Sequence, residues 1–387
     1  MSESNKKICP VQKKCGGCKL LPIPYSEQLQ KKQKRVSSLL SKYGRVEKII
    51  GMDNPYYYRN KVHAAFDHDR KGNAISGIYE EGSHRVINID SCYLENQKAD
   101  DIIVTIRSLL KSFKLKTYDE DTGYGFLRHV LIRTAHSTGQ IMVVLVTGTP
   151  IFPSKNNFIK VLRSKHPEIT TIVQNINDKR TSMILGERQQ VLYGRGYIED
   201  ILCGKKFRIS PKSFYQVNSV QTEILYNKAV EFADLNESEE VIDAYCGIGT
   251  ISLVVAEHVK SVIGVELNDD AVKDAIINKK QNSVGNVKFI NADAGKFMSG
   301  LAEEGNRCNV VFMDPPRSGS TVEFMDSVVS MKPDKVVYIS CEPETLARDL
   351  GYFTKHGYKM DRAVLVDMFP MTENVECVVL LSKLHTK

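Results

Sequence analysis

The sequence has no long apolar stretch. Its longest apolar run is Ile141–Val146, far short of the roughly 20 residues that a membrane-crossing helix needs. Residues 1–20 carry charges where the apolar core of a signal peptide would stand. We therefore expect a cytoplasmic protein with no membrane partner.

Compositional bias is also lacking. Of the 387 residues, 42% are hydrophobic and 26% are charged, which is ordinary for a folded globular protein and excludes a disordered or collagen-like chain. The length predicts two or three domains, each large enough to bury a core. Nine cysteines in a reducing compartment are not expected to form disulfides, which leaves some of them for metal binding or nucleophilic chemistry.

Acidic residues are scarce at the start of the chain. Residues 1–61 contain fourteen Lys or Arg against four Asp or Glu, a net charge of +10, whereas the remainder is slightly acidic. A basic arm of this kind attracts the phosphates of a nucleic acid. A solvated basic face on the helix predicted over residues 26–41 explains the charge equally well. The charge alone is therefore consistent with a nucleic-acid partner but does not establish one.

The hydrophobic pattern predicts three regions. Residues 1–56 form the basic, cysteine-rich arm with its helix. Residues 57–205 combine short apolar runs and glycines with one helix at 99–112, which predicts a mixed α+β middle domain. Residues 206–387 begin with a helix at 219–233 and then alternate strands with helices. These strands are predicted at 241–245, 261–266, 287–293, 310–314, 335–340, 362–369 and 377–383. The alternation predicts an α/β, Rossmann-like domain whose parallel sheet is covered on both faces and closes with an antiparallel hairpin.

A glycine-containing turn joins the first of these strands to a helix. The turn at 246–250 reads Cys-Gly-Ile-Gly-Thr, and such glycines let the backbone approach a ligand beside a helix N-terminus. Nineteen residues after Gly247, Glu266 ends the next strand, where a carboxylate can accept hydrogen bonds from both ribose hydroxyls. The loop lacks the third glycine of the dinucleotide fingerprint. The pattern therefore favours S-adenosylmethionine over nicotinamide or flavin, with a plain helix-cap turn and a surface Glu as the simpler alternative.

Two further predicted strands end at Asp314 and at Cys341. Because ligands of open α/β sheets bind beyond the carboxyl ends of the strands, we expect both residues to share a crevice with Glu266. A thiol beside a helix N-terminus has its thiolate stabilised, which predicts a nucleophile at Cys341. The alternatives are a Pro-Pro turn that merely ends a strand and a cysteine that serves as a small buried apolar residue.

Six motifs stand in order along the C-terminal domain. They are SFYQVN (213–218), DAYCGIGT (243–250), GVE (264–266), DPPR (314–317), SCEP (340–343) and FPMTENVE (369–376). Through these motifs the sequence resembles the bacterial S-adenosylmethionine-dependent RNA uracil-C5 methyltransferase family. The resemblance covers the whole C-terminal domain and extends to the N-terminal cysteines.

The resemblance implies a methyl transfer to C5 of a uridine. Cys341 would add to C6 of the base, and Glu376 would later remove the C5 proton, with Glu373 as a possible substitute. From the residues alone, a surface Glu entering the last strand is the favoured explanation of Glu376. Met371 and Asn374 stand where the family often has His, and a Tyr replaces a more usual Phe in the cofactor loop. The implied cofactor-contacting residues are Gln216, Tyr245, Thr250, Glu266, Asp293 and Asp314, with Glu266 on the ribose and Asp293 near the adenine.

Three cysteines lie close together near the start of the chain, at Cys9, Cys15 and Cys18, and Cys92 follows much later. Three clustered cysteines and one remote cysteine are a common arrangement for a 4Fe–4S cluster, whereas structural zinc usually takes two close pairs. Spacing alone leaves a cluster, a zinc site and free thiols open. The family resemblance implies a 4Fe–4S cluster, which we expect to join the basic arm to the middle domain.

The resemblance implies an RNA partner, with 23S ribosomal RNA favoured over transfer RNA, and we expect a monomer. Many relatives carry an RNA-binding β-barrel before the cysteines, and we expect this chain to lack it because Cys9 stands so near the start. RNA would then be bound by the basic arm, the middle domain and Arg128, Arg133 and Arg317. Two other function classes stay open: a Rossmann-type oxidoreductase that uses the cluster for electron transfer, and a non-catalytic iron–sulfur or zinc protein that binds RNA.

Overall fold

The computed structural model describes residues 8–384. Its helices are α1 (Gln12–Cys15), α2 (Tyr25–Leu40), α3 (Gln97–Ser112), α4 (Lys155–Lys165), α5 (Ser219–Ala233), α6 (Thr250–Val255), α7 (Asp269–Gln281), α8 (Ala294–Glu303), α9 (Val322–Met331) and α10 (Pro343–Lys355), with a short 3-10 helix at Ala256–His258. Its strands are β1 (Arg45–Val46), β2 (Lys61–His68), β3 (Ala74–Tyr79), β4 (Val86–Asn88), β5 (Leu127–Thr134), β6 (Ile141–Thr147), β7 (Ile169–Ile176), β8 (Arg188–Tyr193), β9 (Ile198–Leu202), β10 (Lys205–Ile209), β11 (Glu240–Ala244), β12 (Ser261–Glu266), β13 (Val287–Asn291), β14 (Val310–Met313), β15 (Lys335–Ser340), β16 (Tyr358–Val366) and β17 (Glu376–Lys383). Within the described residues, no helix is both long enough and apolar enough to span a membrane.

The chain forms two compact units. The first contains the described residues up to Pro22, Tyr56–Ile201 and Arg208–Lys212. The second contains Ile23–Pro55, Leu202–Phe207 and the described residues from Ser213 onward. The basic arm is therefore divided, with its cysteine segment in the first unit and helix α2 in the second.

The first unit is built on a seven-stranded sheet in the order β4-β3-β2-β5-β6-β7-β8. Neighbouring strands are antiparallel except β6 and β7, which run parallel and are connected through α4. Alternate residues of the strands, such as Val130, Ile132 and Val143, form a core with apolar residues of α3 and α4. A separate two-stranded sheet contains β9 and β10. The structure combines strands and helices in the middle of the chain as predicted, but with two helices, since α4 was not predicted beside the helix at 99–112.

The second unit is an eight-stranded sheet in the order β1-β16-β17-β15-β14-β11-β12-β13. Strands β11 to β15 are parallel to their neighbours in this set, and β17 is antiparallel to both β15 and β16. Helices α2, α8, α9 and α10 bury apolar residues in one core, and α5, α6 and α7 pack against the sheet outside that core. The predicted α/β fold, with its closing antiparallel hairpin, is confirmed.

The seven strands predicted for this domain are all present, but two features differ. Strand β16 spans Tyr358–Val366, so it begins and ends earlier than the predicted 362–369. Strand β1 of the basic arm adds to the sheet edge in parallel with β16, with Arg45 opposite Arg362. No local pattern distinguishes so short an edge strand, which is why the sequence did not predict it.

Candidate active site

The strand register brings the predicted nucleophile and the predicted base to one edge of the sheet. In the antiparallel pair of β15 and β17, Ser340 lies opposite Cys377. Cys341 follows Ser340 directly, and Glu376 precedes Cys377 directly. Asp314 follows the neighbouring parallel strand β14. The three predicted catalytic and cofactor side chains therefore converge at the carboxyl end of the parallel strands, where α/β sheets bind ligands.

The Cys341 thiol lies among acidic groups. Burial, together with the carboxyl groups of Glu376 and Asp314, raises its pKa to about 11, and Arg317 acts in the opposite direction. The predicted stabilisation of the thiolate by the helix N-terminus is therefore outweighed in the free protein. Burial and neighbouring negative charge disfavour the thiolate more than the first turn of α10 favours it.

Glu376 is 3% exposed, so its interpretation as a surface residue is wrong. Burial raises the pKa of Glu376 to about 8, with Asp314 adding to the shift and Arg317 opposing it. Burial and the nearby Asp243 likewise raise the pKa of Asp314 to about 7. These carboxyl groups therefore exchange protons near neutral pH, which is the range that suits a general base.

Two backbone N–H groups hold the carboxylate of Glu266, one from the glycine turn and one from the segment after β12. The N–H of Gly247 donates to Oε2 at 3.0 Å, and the N–H of Asn268 donates to Oε1 at 2.7 Å. A Cβ on Gly247 would meet no atom within 4 Å, whereas a Cβ on Gly249 would stand 2.5 Å from the ring of Phe289. Gly249 thus permits close packing of α6 on β13, and Gly247 leaves open space beside the carboxylate for a ligand.

Tyr245 adopts a left-handed backbone conformation, with φ of 65°. Such a conformation is uncommon for a residue other than glycine and is concentrated at functional sites. Its ring packs on Phe324 with centroids 5.2 Å apart. Burial and the nearby Asp293 raise the pKa of Tyr245 to about 12. Asp293 itself is exposed and caps α8 by accepting the N–H of Lys296 at 3.0 Å.

Two residues outside the predicted set also belong to this region. The Tyr226 hydroxyl lies 3.4 Å from the Thr250 hydroxyl at the start of α6, and Asp314, Asp243 and Glu376 all influence its titration. Asp243 is fully buried and accepts a hydrogen bond from the Ser252 hydroxyl at 2.5 Å. No hydrogen-bond donor among residues 8–384 reaches its Oδ1, and burial raises the pKa of Asp243 to about 7. The cofactor motif contained Asp243, but no sequence signal marked the helical Tyr226. The predicted Gln216 is buried in the segment before α5.

Comparison with known proteins places the chain in a family. The family model described as tRNA (Uracil-5-)-methyltransferase matches residues 24–384. The chain belongs to this family. The methyltransferase is 42% identical over 388 residues to an uncharacterized RNA methyltransferase of Clostridium acetobutylicum, covering 98% of this chain and 84% of the relative. A second uncharacterized RNA methyltransferase, from Halalkalibacterium halodurans, is 43% identical over 378 residues, covering 96% and 82%.

The fold of the methyltransferase is also similar to that of a protein of known structure. The Pyrococcus abyssi tRNA (uracil-54, C5)-methyltransferase, crystallised in complex with S-adenosyl-L-homocysteine, matches with a TM-score of 0.77 and 27% identity over 95% of this chain and 86% of that one. Family, relatives and fold together show that the chain is an S-adenosylmethionine-dependent RNA methyltransferase. The prediction of enzyme class from the ordered motifs is confirmed.

Part of the basic helix in this methyltransferase is internal. Lys32 is 2% exposed, and its Nζ lies 2.5 Å from Asp367 Oδ1 and 3.0 Å from the carbonyl oxygen of Phe369. The Tyr25 hydroxyl donates to Asp367 Oδ2 at 2.8 Å. Helix α2 therefore uses one of its cations to hold the segment that leads into β17, and this cation is not exposed to a phosphate.

Two of the three arginines predicted to contact RNA are buried. Arg128 and Arg133 are each 3% exposed. Arg128 donates to the carbonyl oxygens of Asn177 and Lys179, both at 2.8 Å, and Arg133 donates to that of Pro211 at 3.4 Å. The prediction that these two side chains bind RNA is wrong, because burial keeps them from an external phosphate. Arg317 is exposed, and its RNA contact stays a prediction.

The four predicted cluster ligands share the first unit. The thiols of Cys9 and Cys15 influence the titration of Cys18, and Cys18 influences that of Cys92. Burial raises the pKa of both Cys18 and Cys92 to about 12. In the part of the chain that the structure describes, no group of three or more His, Cys, Asp or Glu side chains is arranged to hold a metal ion. The four thiols are thus neighbours that are not gathered around a single point.

Proposed function

We propose that this methyltransferase transfers a methyl group to C5 of a uridine in RNA through a covalent adduct with Cys341. The observation that supports this best is the register of β15 and β17, which sets Cys341 beside Glu376. C5 of uracil is a weak nucleophile, so its methylation needs covalent activation of the ring. A thiol and a carboxyl of raised pKa at one sheet edge are the two groups that this chemistry requires.

Each step uses a residue of this edge. The Cys341 sulfur forms a bond to C6, and the electron pair of the C5–C6 double bond moves toward C5 and the adjacent carbonyl. C5 then takes the electrophilic methyl group of S-adenosylmethionine, whose sulfur keeps the electron pair of the broken C–S bond, so that S-adenosylhomocysteine leaves. Glu376 accepts the C5 proton, the double bond re-forms, and Cys341 leaves as a thiolate. A base of pKa about 8 is stronger than an ordinary carboxylate, which favours this proton transfer.

The same edge offers a binding site for the methyl donor. Glu266, already fixed by Gly247, would accept hydrogen bonds from the ribose, and Asp293 would lie near the adenine. Open space beside Gly247 suits the approach of the ligand. Tyr245 and Asp314 would contact the donor near the reacting edge. The target uridine has to leave its stack to reach these groups, as enzymes that modify bases require.

For the RNA, we propose 23S ribosomal RNA, a preference that rests on the family resemblance of the CxxxxxCGGC segment. Transfer RNA is the second candidate. A specific observation favours it, since the matching structure from Pyrococcus abyssi is a tRNA (uracil-54, C5)-methyltransferase. The first relatives are named only as RNA methyltransferases, so the choice depends on experiment.

The test is a methyl-transfer assay on separate RNA pools. The anaerobically purified protein is incubated with S-adenosylmethionine labelled in its methyl group and with unmodified ribosomal RNA or unmodified transfer RNA, and the nucleosides are separated. We expect label in 5-methyluridine from the ribosomal pool and none with Cys341→Ala. Label from the transfer RNA pool alone would show that transfer RNA, and not ribosomal RNA, is the substrate. Label in another nucleoside would contradict the proposed reaction.

We also propose a 4Fe–4S cluster held by Cys9, Cys15, Cys18 and Cys92. Support comes from the donor set, four neighbouring thiols that are free of disulfides, because iron–sulfur clusters are held by cysteine thiolates. The cluster would join the cysteine segment to Cys92 within the first unit, and no step of methyl transfer needs its electrons. Visible absorption and about four irons per chain after anaerobic purification, both lost in Cys18→Ser, would support it. Stoichiometric zinc without visible absorption would contradict it.

A further inference from the structure

Arg35 of helix α2 contacts two separate segments of the second unit. Its Nε and Nη2 donate to the two carboxylate oxygens of Glu344 at 2.9 and 2.6 Å, a paired fork geometry. Its Nη2 also lies 3.2 Å from Glu342 Oε1. Its Nη1 donates to the carbonyl oxygen of Glu373 at 3.1 Å. The guanidinium of Arg35 thus connects the start of α10 to the segment before β17.

These two segments carry the groups of the proposed reaction. Glu342 is bonded directly to Cys341, and Glu373 stands shortly before Glu376 in the same short segment. A guanidinium has several donors in a rigid plane, so it can fix the distance between two partners better than a flexible ammonium can. Arg35 therefore fixes the segment of the nucleophile relative to the segment of the base.

Two more residues on the same face of α2 contact the segment that leads to Glu376. Gln28 accepts the N–H of Met371 at 2.9 Å, and Lys32 donates to the carbonyl oxygen of Phe369 at 3.0 Å. Gln28, Lys32 and Arg35 are spaced so that they lie on one side of a helix. Helix α2 thus contacts residues 369–373 at three positions along its length. The third position, Arg35, also contacts the segment that follows Cys341.

We propose that Arg35 is a positioning residue for methyl transfer, which sets the geometry between Cys341 and Glu376 without touching the substrate. The inference rests on the proposed function, because it assigns the nucleophile and base to these two residues. Misplacing reacting groups by about 1 Å can lower a rate about 100-fold. The loss of Arg35 should therefore impair proton removal by Glu376 more than it impairs the earlier attack by Cys341.

The test separates these two stages. RNA that contains 5-fluorouridine at the target position forms the methylated adduct but has no C5 proton to lose, so the adduct accumulates and its rate reports the earlier stage. Turnover on ordinary RNA includes the removal of the proton. Both rates, with the Michaelis constants for RNA and methyl donor, are measured for Arg35→Met, Arg35→Lys and the control Gln30→Met. Gln30 is an exposed polar residue of the same helix. The final yield of adduct counts competent enzyme in each preparation.

We expect Arg35→Met to lower turnover by about 10-fold or more and to lower adduct formation several-fold less, with Michaelis constants close to those of the wild type. Arg35→Lys should stay impaired, because it keeps the charge but not the fork. Gln30→Met should match the wild type. An equal loss in both rates, or full recovery with Lys, would overturn the inference. If the wild type itself formed neither adduct nor 5-methyluridine, the proposed function would fail instead.

Discussion

Cys341 and Glu376 are neighbours because Ser340 and Cys377 pair across two antiparallel strands. The last strand, β17, inserts between β15 and β16 and runs against β15, so its second residue meets the final residue of β15 and Glu376 lies just beyond that pair. An all-parallel sheet would place the start of the last strand at the opposite edge. The reversed strand is therefore what delivers a buried carboxyl to the edge where the methyl donor is expected to bind.

Replacing Glu376 with Gln should stop the reaction after methyl transfer. Glutamine keeps the size and a hydrogen-bonding group but cannot accept the C5 proton. We expect turnover to fall about 10²- to 10⁴-fold, the usual contribution of a general base, while a covalent protein–RNA species accumulates on ordinary uridine RNA. Gel electrophoresis under denaturing conditions detects that species. The matched variant Glu373→Gln tests the alternative base, and loss of turnover in that variant alone would reverse the assignment.

The rate should depend on pH above the range of an ordinary carboxyl. The pKa of Glu376 is raised to about 8, so the group is protonated, and inactive as a base, below that value. The Cys341 thiol, whose pKa is raised to about 11, adds to the same trend, with Asp314 and Arg317 facing both groups. We expect single-turnover rates at saturating substrate to rise with pH from about pH 6, and the rise to continue above about pH 8 because the Cys341 thiol is still protonated there. A rate that is flat from about pH 6 to pH 8 would show that neither group limits the reaction.

The buried ion pair of Lys32 and Asp367 should matter for stability. Lys32→Met leaves the Asp367 carboxylate buried with Tyr25 as its remaining side-chain donor among the contacts that the structure gives. Removing one partner of a buried pair typically costs about 3 to 5 kcal/mol in the free energy of unfolding. The double variant Lys32→Met/Asp367→Asn should recover part of that loss, since no charge then stays buried. Denaturant unfolding measures both variants, and a loss below about 1 kcal/mol in the single variant would show that the pair is not needed.

Gly249→Ala should damage the cofactor loop. The backbone φ of 83° is unfavourable for alanine, and the new Cβ would stand 2.5 Å from the Phe289 ring. A left-handed conformation costs about 1 to 2 kcal/mol and overpacking about 1 to 3 kcal/mol. We expect a lower melting temperature and weaker binding of S-adenosylhomocysteine by calorimetry. Gly285→Ala is the control, because a Cβ there meets no atom within 4 Å. Equal affinity in the two variants would contradict this account of the loop.

Much of the second unit could be predicted because its signals are local. Apolar runs followed by Gly247, Asp314 or Cys341 mark both a strand and the candidate functional residue at its end. The structure confirms these strands and brings their ends together. The same local signal also found Glu266, whose contact with the Gly247 N–H ties the second strand to the first turn.

Long-range partners could not be predicted. Lys32 stands in a run of basic residues that resembles a solvated surface, and it is buried because Asp367, 335 residues away, supplies the opposite charge. Arg128 looked available for phosphate, but carbonyl oxygens of the chain after β7 occupy its guanidinium. The raised pKa of Cys341 has the same origin, since folding buries the thiol and makes Glu376 and Asp314 its neighbours.

The central claim is that Cys341 attacks the pyrimidine ring. Its most direct test is mass spectrometry of the complex formed with S-adenosylmethionine and RNA that contains 5-fluorouridine at the target position, after digestion of protein and RNA. The account predicts a peptide bearing Cys341 whose mass is increased by one methylated fluorouridine nucleotide. Labelled 5-methyluridine formed from ordinary RNA, with no such adduct or with the adduct on another cysteine, would contradict it.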